Sequence, residues 1–409
     1  MLSVFAFAFE AGADVLAPDD ASASDAISPH RPYSDSGPSV HFFDDQSFHF
    51  HEPSPLQKFS LALTSIFAAT WVFILGTCIG SFLNVVIYRM PAGLALGKPK
   101  SRCPGCETPL AARDNIPVLG WLLLKGRCRY CGMRISPRYP IIEATVGFIF
   151  LGLLFVEIAS GGGNLPVRPV SVIHGNPIDQ ILMSGQWDLA GIYLFHCSWL
   201  TLVLATVMIG YDGHHPPRRL LVFGIALAIV AGTVWPEIRP VGAIEPRPEW
   251  LSEAYWGLRW SPPIGYSRDV FTTGFGLSGL VDGLAGLAIG IAVVALAKIA
   301  RRRFMADAPR YTATGHVIVL AGAFLGWQAV VSLVLLCLPL LTATELVRSD
   351  RLSRQMLPLL FVVTAAFLVS WRWLDASQWL TGRAPRSPAA SQTFVSTEVT
   401  FRVTNSRRA

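Results

Sequence analysis

Between Phe59 and Trp371 the chain is a succession of apolar runs, each close to the length that crosses a membrane. A helix rises about 1.5 Å per residue and a hydrocarbon core is roughly 30 Å thick, so about 20 apolar residues make one crossing. The runs fall near 60–87, 140–158, 188–210, 220–235, 274–300, 315–345 and 356–371. The sixth contains Gly322, Gly326 and Trp327, and it reads either as one tilted helix or as two helices parted near Gly326. Because hydrocarbon offers no water to an unpaired backbone, these runs predict an all-α, polytopic membrane helix bundle of seven or eight spans. Composition agrees, with 52% hydrophobic residues against 15% charged, which excludes most soluble classes. Lipid is therefore an expected partner and nucleic acid is not.

The net charge of +6 conceals an asymmetry. Residues 1–58 carry nine acids and two bases, lack periodicity, and read as a disordered acidic tail; His30, His41, His49 and His51 within it have no fixed metal-ligand spacing. The remainder is strongly basic. Loop 91–138 holds nine bases and two acids, Arg218 and Arg219 stand in the short loop 211–219, and Arg301, Arg302 and Arg303 follow the fifth run. Retention of Lys and Arg in short loops places these three on the cytoplasmic face. Loop 159–187 and insert 237–273 then lie outside. The organisation expected is the tail 1–58, N-terminal spans with a cytoplasmic loop over 59–158, a membrane domain over 188–371, and a polar tail 372–409.

Within the basic loop, Cys103-x2-Cys106 and Cys128-x2-Cys131 are separated by 21 residues. Two such knuckles can each present two thiolates to one tetrahedral Zn²⁺. Six nearby bases, Arg102, Arg113, Lys125, Arg127, Arg129 and Arg134, offset the charge of a four-thiolate centre. The alternatives are four unconnected reduced thiols, which the paired spacing disfavours, and two disulfides in an oxidising compartment, which the positive charge disfavours. A closed site of this kind staples a loop and does not catalyse. Cys78, Cys197 and Cys337 lie in apolar runs and are expected to serve as small core residues.

Four stretches together resemble the type IV prepilin peptidases, bifunctional membrane enzymes of the GxGD aspartyl protease group. They are GSFLNVVIYRMP at 80–91, the two-CxxC loop through RYPIIEATVG at 138–147, LAGAFLGWQA at 320–329, and LPLLFVVTAAFLV at 357–369. With the order of spans, the resemblance covers roughly 60–371. It implies cleavage of the leader of pilin-like or pseudopilin precursors and N-methylation of the new terminus, in the bacterial inner membrane, for type IV pili or type II secretion.

The family's chemistry uses two aspartates at the cytoplasmic ends of helices, one charged to activate water and one protonated to polarise the scissile carbonyl. Its first site resembles I-D-x-D-x-x-x-L-P-D. Here the matching stretch is IGYDGHHPPRR, where Gly210, Asp212 and Arg218 stand at the three acidic positions and Pro217 on the proline. Asp212 reads either as the remaining catalytic carboxylate or as a loop acid beside His214, His215 and Arg218. Counting back from GAFLGW, 322–327, places Thr314 on the second aspartate and His316 on the lysine of G-x-G-D-x-K. A threonine cannot act as half of a carboxyl pair. Asp282, Asp307 and Glu345 are the other acids weighed for that role, and Asp282 is otherwise expected to bond within the bundle.

The resemblance also assigns methyl transfer to the cytoplasmic loop, with Gly126 and Arg127 as the pair before the third cysteine and S-adenosylmethionine as cofactor. From spacing alone, Gly126 reads equally as the residue that permits a tight knuckle turn. A relative that binds pilin-like precursors without cleaving them, and a zinc-stapled transporter or scaffold, are the other readings. Apart from Asp282 and Lys298 the runs show few ionisable groups, which disfavours transport.

Overall fold

The computed structural model describes residues 54–97, 101–165, 187–235, 238–239, 277–301, 309–346 and 357–371. The expectations for the tail and its histidines through residue 53, for Asp307, for most of insert 237–273 and for tail 372–409 lie outside these residues. The described chain is all-helical. Four of its helices are long and apolar enough to cross a membrane, and shorter apolar helices accompany them, as in a multi-pass membrane protein.

Helix α1 (Pro55–Arg89) starts earlier than the apolar run suggests, because its first turn is capped. The Ser54 hydroxyl accepts from the Gln57 N–H, the Gln57 amide oxygen accepts from the Ser54 N–H, and Pro55 takes the first helical position. Residues 54–58 therefore belong to the helix and not to the tail. At 35 residues α1 is about 52 Å long, well beyond one hydrocarbon core. A short α2 (Leu119–Leu123) lies in the cysteine loop, and α3 (Arg138–Leu153) continues into a π-helical turn, Leu154–Ala159. There follow α4 (Trp187–Tyr211), α5 (Arg218–Val234), α6 (Leu277–Arg301), α7 (Pro309–Leu325), α8 (Trp327–Leu346) and α9 (Leu357–Val369).

The sixth apolar run is two helices. Gly326, at φ +92°, separates α7 from α8, a conformation that costs glycine nothing and strains other residues. Helix α4 is the hub: it packs against α1, α3, α5, α7 and α9, and 78% of its apolar window is buried. Cys197 on α4 and Cys337 on α8 are buried as expected, whereas Cys78 is exposed, since it faces away from the seam that α1 makes with α3.

That seam is built on small residues. A Cβ on Gly80 would come within 2.7 Å of the Glu143 Cα, and one on Gly76 within 2.8 Å of the Gly147 Cα, so the two backbones nearly touch. In lipid, where apolar burial between helices gains little, such close approach is a main source of association. Helices α6 and α7 cross in the same way at Gly286 and Gly322, each against the other's carbonyl.

The bundle also buries charges that hydropathy conceals. Glu157 and His196 are both fully buried and joined at 2.6 Å, Oε1 to Nδ1. Arg239, expected in the external insert, is buried, and its guanidinium donates to the carbonyls of Ala228, Gly279 and Ala323. Gly232 and Gly283 leave the room it occupies. The spans thus carry more ionisable groups than Asp282 and Lys298.

Replacing Gly80 by valine should force α1 and α3 apart at a cost of about 1–3 kcal/mol. The expected result is a lower midpoint of thermal unfolding in detergent, with Gly152→Val, which no neighbouring atom approaches, close to wild type. Equal midpoints for the two variants would contradict the seam.

Candidate functional site at the cysteine loop and the helix ends

The loop between α1 and α3 folds around its four thiols. Backbone bonds from Cys103 N–H to Thr108 O (3.0 Å) and from Cys128 N–H to Met133 O (2.8 Å) close the two knuckles. The four sulfurs lie within 4.8 Å of one another, with Cys103 and Cys131 at 3.7 Å and Cys106 and Cys128 at 4.0 Å. This cluster could hold a metal ion. Hydrogen bonds from the Thr108 hydroxyl and backbone draw the Cys106 thiol down to about 6, and backbone bonds from Cys131 and Tyr130 lower Cys128. Although a backbone bond at Met133 favours its thiolate, desolvation and the sulfurs of Cys103, Cys128 and Cys106 push Cys131 up to about 11. The loop thus favours the thiolate form at Cys106 and Cys128 and disfavours it at Cys131.

A second set of contacts holds the loop to the bundle. Trp121 Nε1 donates to Ile135 O (3.0 Å), and the Trp121 indole lies where a Cβ on Gly126 would stand, 2.8 Å from Cζ2. With φ at +69°, Gly126 is required by both the turn and this contact. Arg127 follows it, exposed, opposite Arg134 in an antiparallel bridge. Asp114 is buried, and the guanidinium of Arg129, hydrogen-bonded to it at 2.6 to 3.1 Å, holds its carboxyl below the usual range. Val118 N–H donates to Glu143 Oε2 on α3 at 2.7 Å, and Asn84 Nδ2 donates to Tyr139 O at 3.1 Å.

The helix ends that carry the two stretches compared with the acidic motifs lie against each other. At the C-terminal end of α4, a Cβ on Gly210 would stand 2.7 Å from the Ala313 Cβ and 3.0 Å from Leu357 Cδ1, so the first motif abuts the residue beside Thr314. His215 Nδ1 and Thr312 Oγ1, 3.1 Å apart, join the same ends. Thr314 Oγ1 donates to the Arg310 carbonyl one turn back at 2.9 Å, and the residue borders a mostly apolar cavity among α7, α8 and α9 with Val317, Val330, Leu360 and Thr364.

Asp212 is engaged elsewhere. Both its oxygens accept from Arg138, Nη1 to Oδ1 and Nη2 to Oδ2, each at 2.6 Å. The partner is the arginine of the RYP element at the start of α3, not His214, His215 or Arg218. Asp282 is buried in α6, alongside Gly279 and Gly283, which face Arg239. The residue that sequence reasoning missed is Arg138: its neighbours in the motif were visible, but a pair 74 residues apart leaves no signal in spacing.

Comparison with known proteins matches residues 74–157 to the bacterial peptidase A24 N-terminal domain. Over 86 residues the chain is 51% identical to a prepilin leader peptidase/N-methyltransferase of Myxococcus xanthus, covering 21% of this chain and 26% of that protein. It is 47% identical over 105 residues to a protein of the same name from Klebsiella pneumoniae, covering 22% and 46%. A type 4 prepilin-like proteins leader peptide-processing enzyme of Escherichia coli shares 44% over 150 residues, covering 32% and 54%. The chain thus spans between a quarter and about half the length of these relatives. No solved structure matches. Residues 74–157, which include α1's C-terminal half, the cysteine loop and Arg138, are thus similar to the N-terminal domain of the bacterial A24 peptidases.

Proposed function

We propose that this chain acts on type IV pilin-like or pseudopilin precursors at the bacterial inner membrane, as a prepilin leader peptidase/N-methyltransferase does, with its cysteine loop on the cytoplasmic side. The observation that carries this reading is the docking of the matched domain onto the helix end that holds the acidic motif, through Arg138 and Asp212. The cysteine cluster is read as a structural zinc site. Four sulfurs around Zn²⁺ at about 2.3 Å stand about 3.8 Å apart, and separations of 3.7 and 4.0 Å match that tetrahedron. S-adenosylmethionine, when bound, would supply the methyl group. Arg127 offers it an exposed cation, while Gly126 serves the turn.

A second reading, a relative that binds precursors but cleaves them poorly, is favoured by what stands at the two acid positions. Of the carboxyl pair, one position is Thr314 and the other, Asp212, spends both oxygens on Arg138. Loss of one catalytic acid or base reduces turnover by a factor on the order of 10² to 10⁴.

Purified protein in lipid, incubated with a precursor bearing a basic leader, a glycine at the cut and an apolar helix after it, should show leader loss far slower than an active relative. Thr314→Asp should raise it, and Asp212→Asn should abolish what remains. Rapid cleavage by the unaltered protein would place the acid pair elsewhere; no leader loss and no methylation across several precursors would leave the binding reading.

The metal should amount to about one zinc per chain by mass spectrometry of the metal content. Because binding must displace the Cys131 proton, affinity should rise with pH, and a chelator should strip the ion more readily at pH 6 than at pH 8. Any one Cys→Ser among the four should expose residues 101–137 to protease while α4 to α9 stay folded. A metal-free protein with an equally resistant loop would refute the assignment.

Arg138→Asp and Asp212→Arg should each loosen the loop from the bundle, read as faster proteolysis near residue 138, and the two together should restore part of the resistance. Lack of any rescue would mean that the pair does not bear the docking.

A further inference from the structure

The cysteine loop carries an apolar face that its own fold does not use. On α2, Leu119, Leu122 and Leu123 share one side and are 56%, 54% and 74% exposed, with exposed Ile116 just before them. Hydrogen bonds continue directly from this helix into a basic turn: Lys125 N–H donates to Leu122 O and Arg127 N–H to Leu124 O, each at 3.0 Å. Arg127 then stands across the bridge from Arg134. Two like charges set opposite each other repel, and Lys125, Arg127 and Arg134 have no acidic partner among the described residues. The loop's one buried acid, Asp114, is already taken by Arg129.

The height of α2 is fixed independently. Val118, the residue before α2, donates its N–H to Glu143, five residues and about 7.5 Å into the spanning helix α3. The leucines therefore lie beside the first turns of a membrane span, not above it in water. Tyr88 and Tyr139, exposed at the ends of α1 and α3, mark the same level as interfacial aromatics do.

We propose that α2 and the turn after it form a monotopic membrane contact: Leu119, Leu122 and Leu123 enter the acyl boundary while Lys125 and Arg134 take the phosphates of anionic lipid headgroups. This is the pairing of apolar and basic faces by which an interfacial helix binds an anionic bilayer. The contact does not depend on peptidase activity.

Hydrogen exchange of peptides covering 116–127, followed by mass spectrometry in nanodiscs, tests it. The full protein is compared in zwitterionic discs and in discs containing phosphatidylglycerol. Amides of α2 should exchange more slowly in the anionic discs, and the difference should shrink at high salt. Each basic residue near an anionic surface is worth roughly 5-fold, so Lys125→Gln/Arg134→Gln should weaken docking by about 25-fold. Leu119→Ser/Leu122→Ser should abolish the lipid dependence with the metal content unchanged, since both side chains are exposed. Equal exchange in the two discs would overturn the proposal. So would protection reproduced in zwitterionic discs by inorganic phosphate or S-adenosylmethionine alone, which would make the site one for a soluble anion. A photo-crosslinker at Leu123 should capture lipid, and capture of a precursor peptide instead would assign the face to substrate.

Discussion

Low dielectric is the constraint on which this fold turns. A polar group taken into hydrocarbon must find a partner within the protein or cost several kcal/mol, and the bundle shows three answers. Glu157 and His196 answer each other across two helices, where the carboxylate meets an imidazole at 2.6 Å. Arg239 answers three backbone carbonyls at once and so ties residue 239 to α5, α6 and α7. Arg138 answers Asp212 at a helix end, where both are half-buried. Each of these contacts also specifies which helices may neighbour which, since a polar group left buried without its partner is costly.

The third pair links structure to chemistry. It joins the first residue of α3, at the root of the cysteine loop, to the end of α4 where the acidic motif sits. The Asp212 carboxyl serves attachment there, and Gly210 beside Ala313 fills the meeting point of α4 and α7 with backbone.

The loop has its own economy of charge. Among its bases, Arg129 and Arg138 neutralise Asp114 and Asp212, which leaves a basic remainder on the outside. The thiols are graded by their surroundings, with Cys106 low and Cys131 high, in a cluster that could hold a metal ion. Positive φ at Gly126, with the Trp121 indole packed where a side chain would be, sets the direction in which the basic turn leaves α2.

Local features were legible from residues alone: the helical class, the positions of most apolar helices and the pairing of four cysteines each depend on composition or short spacing. The earlier start of α1 depended on a Ser-Pro-x-Gln cap that lies outside the apolar run, and the division of the sixth run at Gly326 on a backbone angle that hydropathy does not encode. Three-dimensional packing alone decided that Asp212 belongs to Arg138, that Arg239 is inside, that Cys78 faces outward and that Gly210 abuts Ala313. Periodicity along one helix states which residues avoid water; only the approach of a second helix, distant in sequence, determines which charge each of them meets.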